Sequence, residues 1–247
     1  MVEPMTAAVA TAAVEKASET ALQETFRHMA EIGRRSSEWS EVGGLRPDPA
    51  TLERVDALLD QENYRKLNEF RELSRTHPEA VQAAYDNVHL KGQMGECLME
   101  AKLSQYGEVL SQVPVQLSGA ETGNRIDLIL TESNANLKQI ELKVQDGQVV
   151  MERNYDLMKG ESAAFEVKNG SSAYLRQELA SGELQQQIAA GAAHADHSFV
   201  VINEDTAAAL LDHPEQAAKA IEDIQAAGGK LIVGLPSQSV QMAIFLG

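Results

Sequence analysis

The chain has 247 residues, 43% of them hydrophobic and 23% charged, and 21 Lys and Arg against 37 Asp and Glu leave a formal net charge of -16. That length suits one sizeable domain, alone or with an appendage. No window approaches the roughly 18 consecutive apolar residues of a membrane helix, and no basic stretch precedes the Ala-rich run at 6–14. The expectation is a protein without membrane contact, cytoplasmic or exported by a specialised route that needs no classical leader. The single Cys97 excludes an internal disulfide framework and a cysteine-built zinc site. Aromatic residues at 4% disfavour stacking platforms for single strands. The acidity argues against a generic polyanion binder, whose affinity rests on a Lys/Arg field.

Residues 1–90 carry 10 basic and 16 acidic side chains and read as a helical region. An Ala/Glu-rich helix is expected over 6–32, then a loop at 43–47. Asp48 and Pro49 open a helix over 50–74 whose Leu52, Val55, Leu58 and Leu59 mark one buried stripe. Pro78 starts a further helix through Val88, and Trp39 sits in a polar loop. Residues 91–247 form the second unit, in which 91–172 is the least acidic stretch, with 8 basic and 12 acidic residues. There the pattern predicts a helix over 92–106 closed by Gly107 and a strand over 113–117. After a turn-rich stretch at 118–124, strands follow over 125–130, 139–144, 148–152 and 163–168. A helix over 172–190, a strand over 198–203, a helix over 214–227, a strand over 231–235 and an apolar run over 240–246 complete the chain. The fold class is mixed α/β: a helix, an antiparallel meander, then alternating helix and strand, preceded by the helical N-terminal region.

Asp127 interrupts an apolar strand and faces away from Ile126, Leu128 and Leu130. In Phe165-Glu166-Val167-Lys168 the carboxylate and the ammonium share the face opposite Phe165 and Val167. If these strands are neighbours, two carboxylates able to hold a hard cation converge with a lysine able to orient or deprotonate a water. Each motif alone is ordinarily no more than a solvated cross-strand pair.

Taken together, the order of elements from Lys91 to Asn203 resembles the PD-(D/E)xK nuclease superfamily, whose core is a helix, a three-stranded meander, a helix and a further strand. Gly92-Gln93-Met94-Gly95-Glu96, with Leu103 and Gly107 closing the helix, is similar to the family's glutamate-bearing first helix. Asp127 matches its metal-binding aspartate, and Glu166-Val167-Lys168 before the helix at Ser172 matches its Glu-x-Lys. The resemblance implies a restriction-endonuclease-like core in which Glu96, Asp127 and Glu166 hold Mg2+ or Mn2+, Lys168 positions the attacking water, and Gln186 or Gln187 lines the site. It also implies a nucleic-acid substrate, DNA before RNA. A nuclease domain behind a helical segment resembles bacterial toxin or effector nucleases, which would bring an inhibitor or immunity protein as partner, and it is equally compatible with a repair or phage-type nuclease.

Two departures stand. Ile126 replaces the family's proline, and a second Glu-x-Lys, Glu141-Leu142-Lys143, would face Asp127 across a hairpin centred near Asn134. Glu166 and Lys168 are preferred because only 163–203 runs from strand to helix to strand, which makes 139–152 an inserted hairpin. Lys91, Lys102, Arg125, Lys143 and Arg153 are the candidates for a local basic surface. His194, Asp196 and His197 lack a third ligand and read as a surface loop. Cys97 reads as a buried thiol, and neither a phosphate-binding Gly-rich loop nor a Gly-x-Ser-x-Gly elbow occurs. The alternative function is a catalytically silent nuclease-type fold that binds a protein partner.

Overall fold

The computed structural model describes residues 57, 61–77, 88–115 and 124–246. The expected helix at 6–32, Trp39, the loop at 43–47, the stripe of Leu52, Val55, Leu58 and Leu59, the start of the helix opened by Pro78 and nearly all of the turn-rich stretch lie outside the described residues. The described elements are α1 (Gln61–Thr76), α2 (Val88–Leu103), β1 (Val109–Val115), β2 (Asn124–Leu130), β3 (Leu137–Gln145), β4 (Gln148–Leu157), β5 (Ala163–Lys168), α3 (Ser172–Ser181), α4 (Glu183–His194), β6 (His197–Asn203), α5 (Glu204–Leu211), α6 (Pro214–Ala226), β7 (Lys230–Leu235) and α7 (Gln238–Leu246).

The strands form one mixed sheet in the order β1-β2-β5-β6-β7-β3-β4. β1, β2 and β5 are antiparallel, with Leu128 opposite Phe165. β5, β6 and β7 run parallel, which requires crossovers, and α3 with α4 and α5 with α6 supply them. The near-continuous apolar runs of β6 and β7 follow from burial on both faces. The hairpin β3–β4 falls between β2 and β5 in sequence but pairs with β7 at the far edge. β1, β2 and β5 therefore make up the antiparallel meander, and the β3–β4 hairpin stands apart from it at the other edge of the sheet.

Two apolar layers sandwich the sheet. On one side α2 sets Met94, Leu98, Met99 and Leu103 against Leu128, Phe165 and Phe199, and Leu67 of α1 joins the same core. The rings of Phe165 and Phe199 stack at 5.3 Å between centroids across adjacent strands. On the other side Leu175, Leu184, Ile188, Ile221 and Ile224 pack on Leu142, Val200 and Ile202. No described helix is long and apolar enough to cross a membrane.

Several boundaries differ from the sequence pattern. The single helix expected over 172–190 is two, broken at Gly182, whose φ of 80° ends α3 and returns its N–H to the Leu179 carbonyl. β1 begins four residues before the expected strand, because an edge strand tolerates the polar Ser111 and Gln112. α5, not anticipated, starts where the Asn203 side chain accepts the Thr206 N–H. The last apolar run is the helix α7, whose first turn is tied down by Glu204 and Asp205 accepting the Ser237 and Gln238 N–H groups.

α2 ends at Leu103, so Gly107 is not its terminal residue; it lies where the chain crosses the backbone of Glu132. A Cβ there would strike the Glu132 carbonyl oxygen and meet Leu130 Cδ1 at 3.0 Å. Gly107→Ala is expected to cost about 1–3 kcal/mol of stability, read as a lowered midpoint in a thermal melt; an unchanged midpoint would contradict this close approach.

Candidate active site

Asp127 sits where β2 leaves the β5 ladder and skips one pair of the β1 ladder. The β1 register runs from Ser111↔Leu128 to Val113↔Ile126 without a pair at Asp127, and the β5 register stops at Leu128↔Phe165. On the β1 side Gln112 has φ 51° and turns its backbone out of the ladder. On the β5 side the Asp127 Oδ2 accepts the Val167 N–H at 2.8 Å, in the place of a strand carbonyl. The resulting opening lets side chains from both faces of the sheet converge.

From one face α2 delivers Glu96. Its neighbours Met94, Cys97 and Leu98 are buried, and Gly95 lets the helix approach, since a Cβ there would lie 2.6 Å from that of Asn169. Gln112 Nε2 donates to Glu96 Oε2 at 2.7 Å and to Asp127 Oδ1 at 3.3 Å. From the other face come Glu178 of α3 and Gln187 of α4. The Lys168 ammonium donates to Glu166 Oε1 at 3.1 Å, Glu178 Oε2 at 3.2 Å and Gln187 Oε1 at 3.1 Å, so all three of its N–H groups are taken. Glu166 and Lys168 are thus only 4% and 7% exposed, not on an open sheet face, because α3 and α4 cover them. Beyond Lys168 a buried amide network holds the strand end: Asn169 Nδ2 donates to Gln241 Oε1 and the Lys91 carbonyl, and Asn203 Nδ2 donates to Asn169 Oδ1.

The charges are unbalanced. Burial, then the neighbouring Asp127, push Glu166 up to about 8 and Glu96 up to about 7. Asp127 is raised by burial as well, against the opposing pull of the Val167 N–H and Lys168. Burial works against the Lys168 charge, but Glu166 and Asp127 outweigh it and hold the ammonium above the usual lysine range. Glu166 Oε2 is buried without a hydrogen-bond partner. Among the described residues no three His, Cys, Asp or Glu side chains form a ready-made metal-ligand group.

The other candidates lie elsewhere. Gln187 meets Lys168, whereas the Gln186 side chain is exposed. β6 and β7 stand between β5 and β3, so Glu141 does not face Asp127; it neighbours Asp156 and Lys230, and Lys143 pairs with Glu152. Lys102 is no surface cation: it is buried against the Gly234 carbonyl, and desolvation lowers it to about 8. Arg125 and Arg153 are exposed. The His-Ala-Asp-His run is divided, with His194 on the Ala190 carbonyl, Asp196 on Ser162 and His197 on Glu161. Cys97 is buried. Sequence reasoning missed Gln112, in an unremarkable polar edge strand, and Glu178, which helical spacing from Leu175 and Leu179 alone could have set beside the core.

Carboxyl groups whose folded pKa lies above their unfolded value of 4.5 favour the folded state while protonated, and that stability drains as pH rises through the folded pKa. Glu96, Glu166 and also Glu204, raised to about 7 by burial, all act in this sense. The melting midpoint without divalent cations is therefore expected to fall between pH 5 and pH 9, and to fall less steeply in Glu96→Gln. A midpoint that rises over this range would contradict the site's charge state.

No protein-family model, no curated protein and no solved structure matches the chain.

Proposed function

We propose that the chain is a metal-dependent nuclease with a PD-(D/E)xK-type site on a restriction-endonuclease-like core. The observation that carries this reading is the meeting of Glu96 from α2, Asp127 from β2, Glu166 and Lys168 from β5 and Gln187 from α4 around one opening in the sheet. The strand order supports it too, since β1, β2 and β5 form the meander and α3 with α4 cross to the parallel β6.

The chemistry of the donor set suits Mg2+ or Mn2+, and the three carboxylates would have to draw together around the cation, since they do not form a ligand group as they stand. Glu96, Asp127 and Glu166 are hard oxygen ligands crowded together, and the buried Glu166 Oε2 has no donor near it but the neighbouring Asp127 carboxyl. Such a cation, bound by these three, would offset charge developing on a phosphodiester and lower the pKa of a bound water. Lys168 supplies a fixed positive charge. Held above the usual lysine range, it does not remove a proton but orients water and phosphate oxygens, which it would do in exchange for one of its present acceptors.

A second reading, a silent nuclease-type fold that binds a protein, draws on the net charge of -16 and on the fully engaged Lys168 ammonium. Plasmid DNA and total tRNA incubated with Mg2+ or with EDTA separate the two. The nuclease reading expects cleavage with Mg2+ only, reduced roughly 100-fold or more in Lys168→Ala and unchanged in Lys143→Ala. Absence of cleavage of both substrates would favour the silent module, and loss confined to Lys143→Ala would move the site to Glu141.

A further inference from the structure

Among the described residues two non-glycine positions have positive φ, Gln112 and Asp146. Asp146 sits with Gly147 in the β3–β4 hairpin turn, where a left-handed backbone is ordinary. Gln112 does not. It lies inside β1 with paired residues on either side, at the position that would face Asp127. A side chain larger than glycine persists there only where surrounding contacts enforce it, and such outliers cluster at functional sites.

What the conformation achieves is visible in the Gln112 side chain. Its amide nitrogen stands between Glu96 Oε2 and Asp127 Oδ1, at 2.7 and 3.3 Å, and joins carboxylates that arrive from a helix and a strand. An amide N–H2 offers two donors and no charge. It can bridge two oxygens and hold them together, but it cannot neutralise them.

We infer that Gln112 is a positioning residue for the divalent cation: its amide nitrogen keeps Glu96 and Asp127 converged while no cation is bound, and it must be displaced when one enters between them. This rests on the metal-dependent reading of the same site. The amide donors compete with the cation for the same oxygens, so Gln112 preserves the geometry of the carboxylates at a cost in affinity.

The test is Mn2+ binding by the full chain, followed through the electron paramagnetic resonance signal of free Mn2+, for wild type, Gln112→Gly, Gln112→Asn and Asp127→Asn. Glycine and asparagine both tolerate the left-handed backbone, and neither spans the two carboxylates, so the pair guards against a single variant that misfolds. Both Gln112 variants are expected to bind Mn2+ roughly fivefold more tightly, the equivalent of one ordinary hydrogen bond. Their melting midpoints should be lower than wild type without metal and rise further than wild type when Mn2+ is added. Unchanged or weaker binding in both would overturn the inference, weaker binding marking Gln112 as a ligand through Oε1. A wild-type chain that binds no Mn2+, or binding that survives Asp127→Asn, would overturn the metal reading and this inference with it.

Discussion

The contact on which the site depends is the hydrogen bond from the Val167 N–H to Asp127 Oδ2, 2.8 Å long. It is a side chain doing what a strand carbonyl does elsewhere in the sheet. Because Asp127 takes that donor, β2 and β5 part beyond Leu128 and Phe165 without stranding a buried amide. On the other side, Gln112 turns out of the β1 ladder and returns its side chain to the same carboxylate. A continuous sheet would keep the groups on its two faces apart. The parted one lets Glu96 from the α2 side and Lys168 with Gln187 from the α3 and α4 side act on one aspartate.

Electrostatics follows from that placement. Three carboxylates, Glu96, Asp127 and Glu166, crowd around a single buried ammonium, itself shared with Glu178. Burying like charges raises each pKa, so part of the cluster is protonated near neutrality. The neutral donors present, the Gln112 amide and the Val167 N–H, orient the oxygens without cancelling their charge. A chain with net charge -16 has no general positive field to help. A small divalent cation bound there, as proposed, would offset the charge of all three carboxylates together.

The strands that build the meander were legible because each carries its own signal. Asn169-Gly170 after β5 ends a strand, and Ser171 caps the helix that follows, accepting the Tyr174 N–H, so β5 announces its crossover in sequence. That local order was enough to prefer Glu166 and Lys168 over Glu141 and Lys143 as the neighbours of Asp127. What covers a face was not legible. The period-two pattern puts Glu166 and Lys168 on one side of β5 but says nothing of α3 and α4 arriving to bury them. Gln112 was invisible for a different reason: its left-handed backbone comes from tertiary contacts at a position where no glycine or asparagine marks it. Gln186 and Gln187 could not be told apart until the break at Gly182 reset the phase of α4.

The claim that the parted sheet is a cation site is tested most directly by a crystal of the wild-type chain grown or soaked with Mn2+, with data collected at the manganese absorption edge. The account predicts an anomalous peak in coordination contact with Asp127 and Glu166, with the Gln112 amide nitrogen moved off the Asp127 oxygen. A peak beside Glu141 and Asp156 instead, or none while Glu96, Asp127 and Glu166 remain ordered, would contradict it.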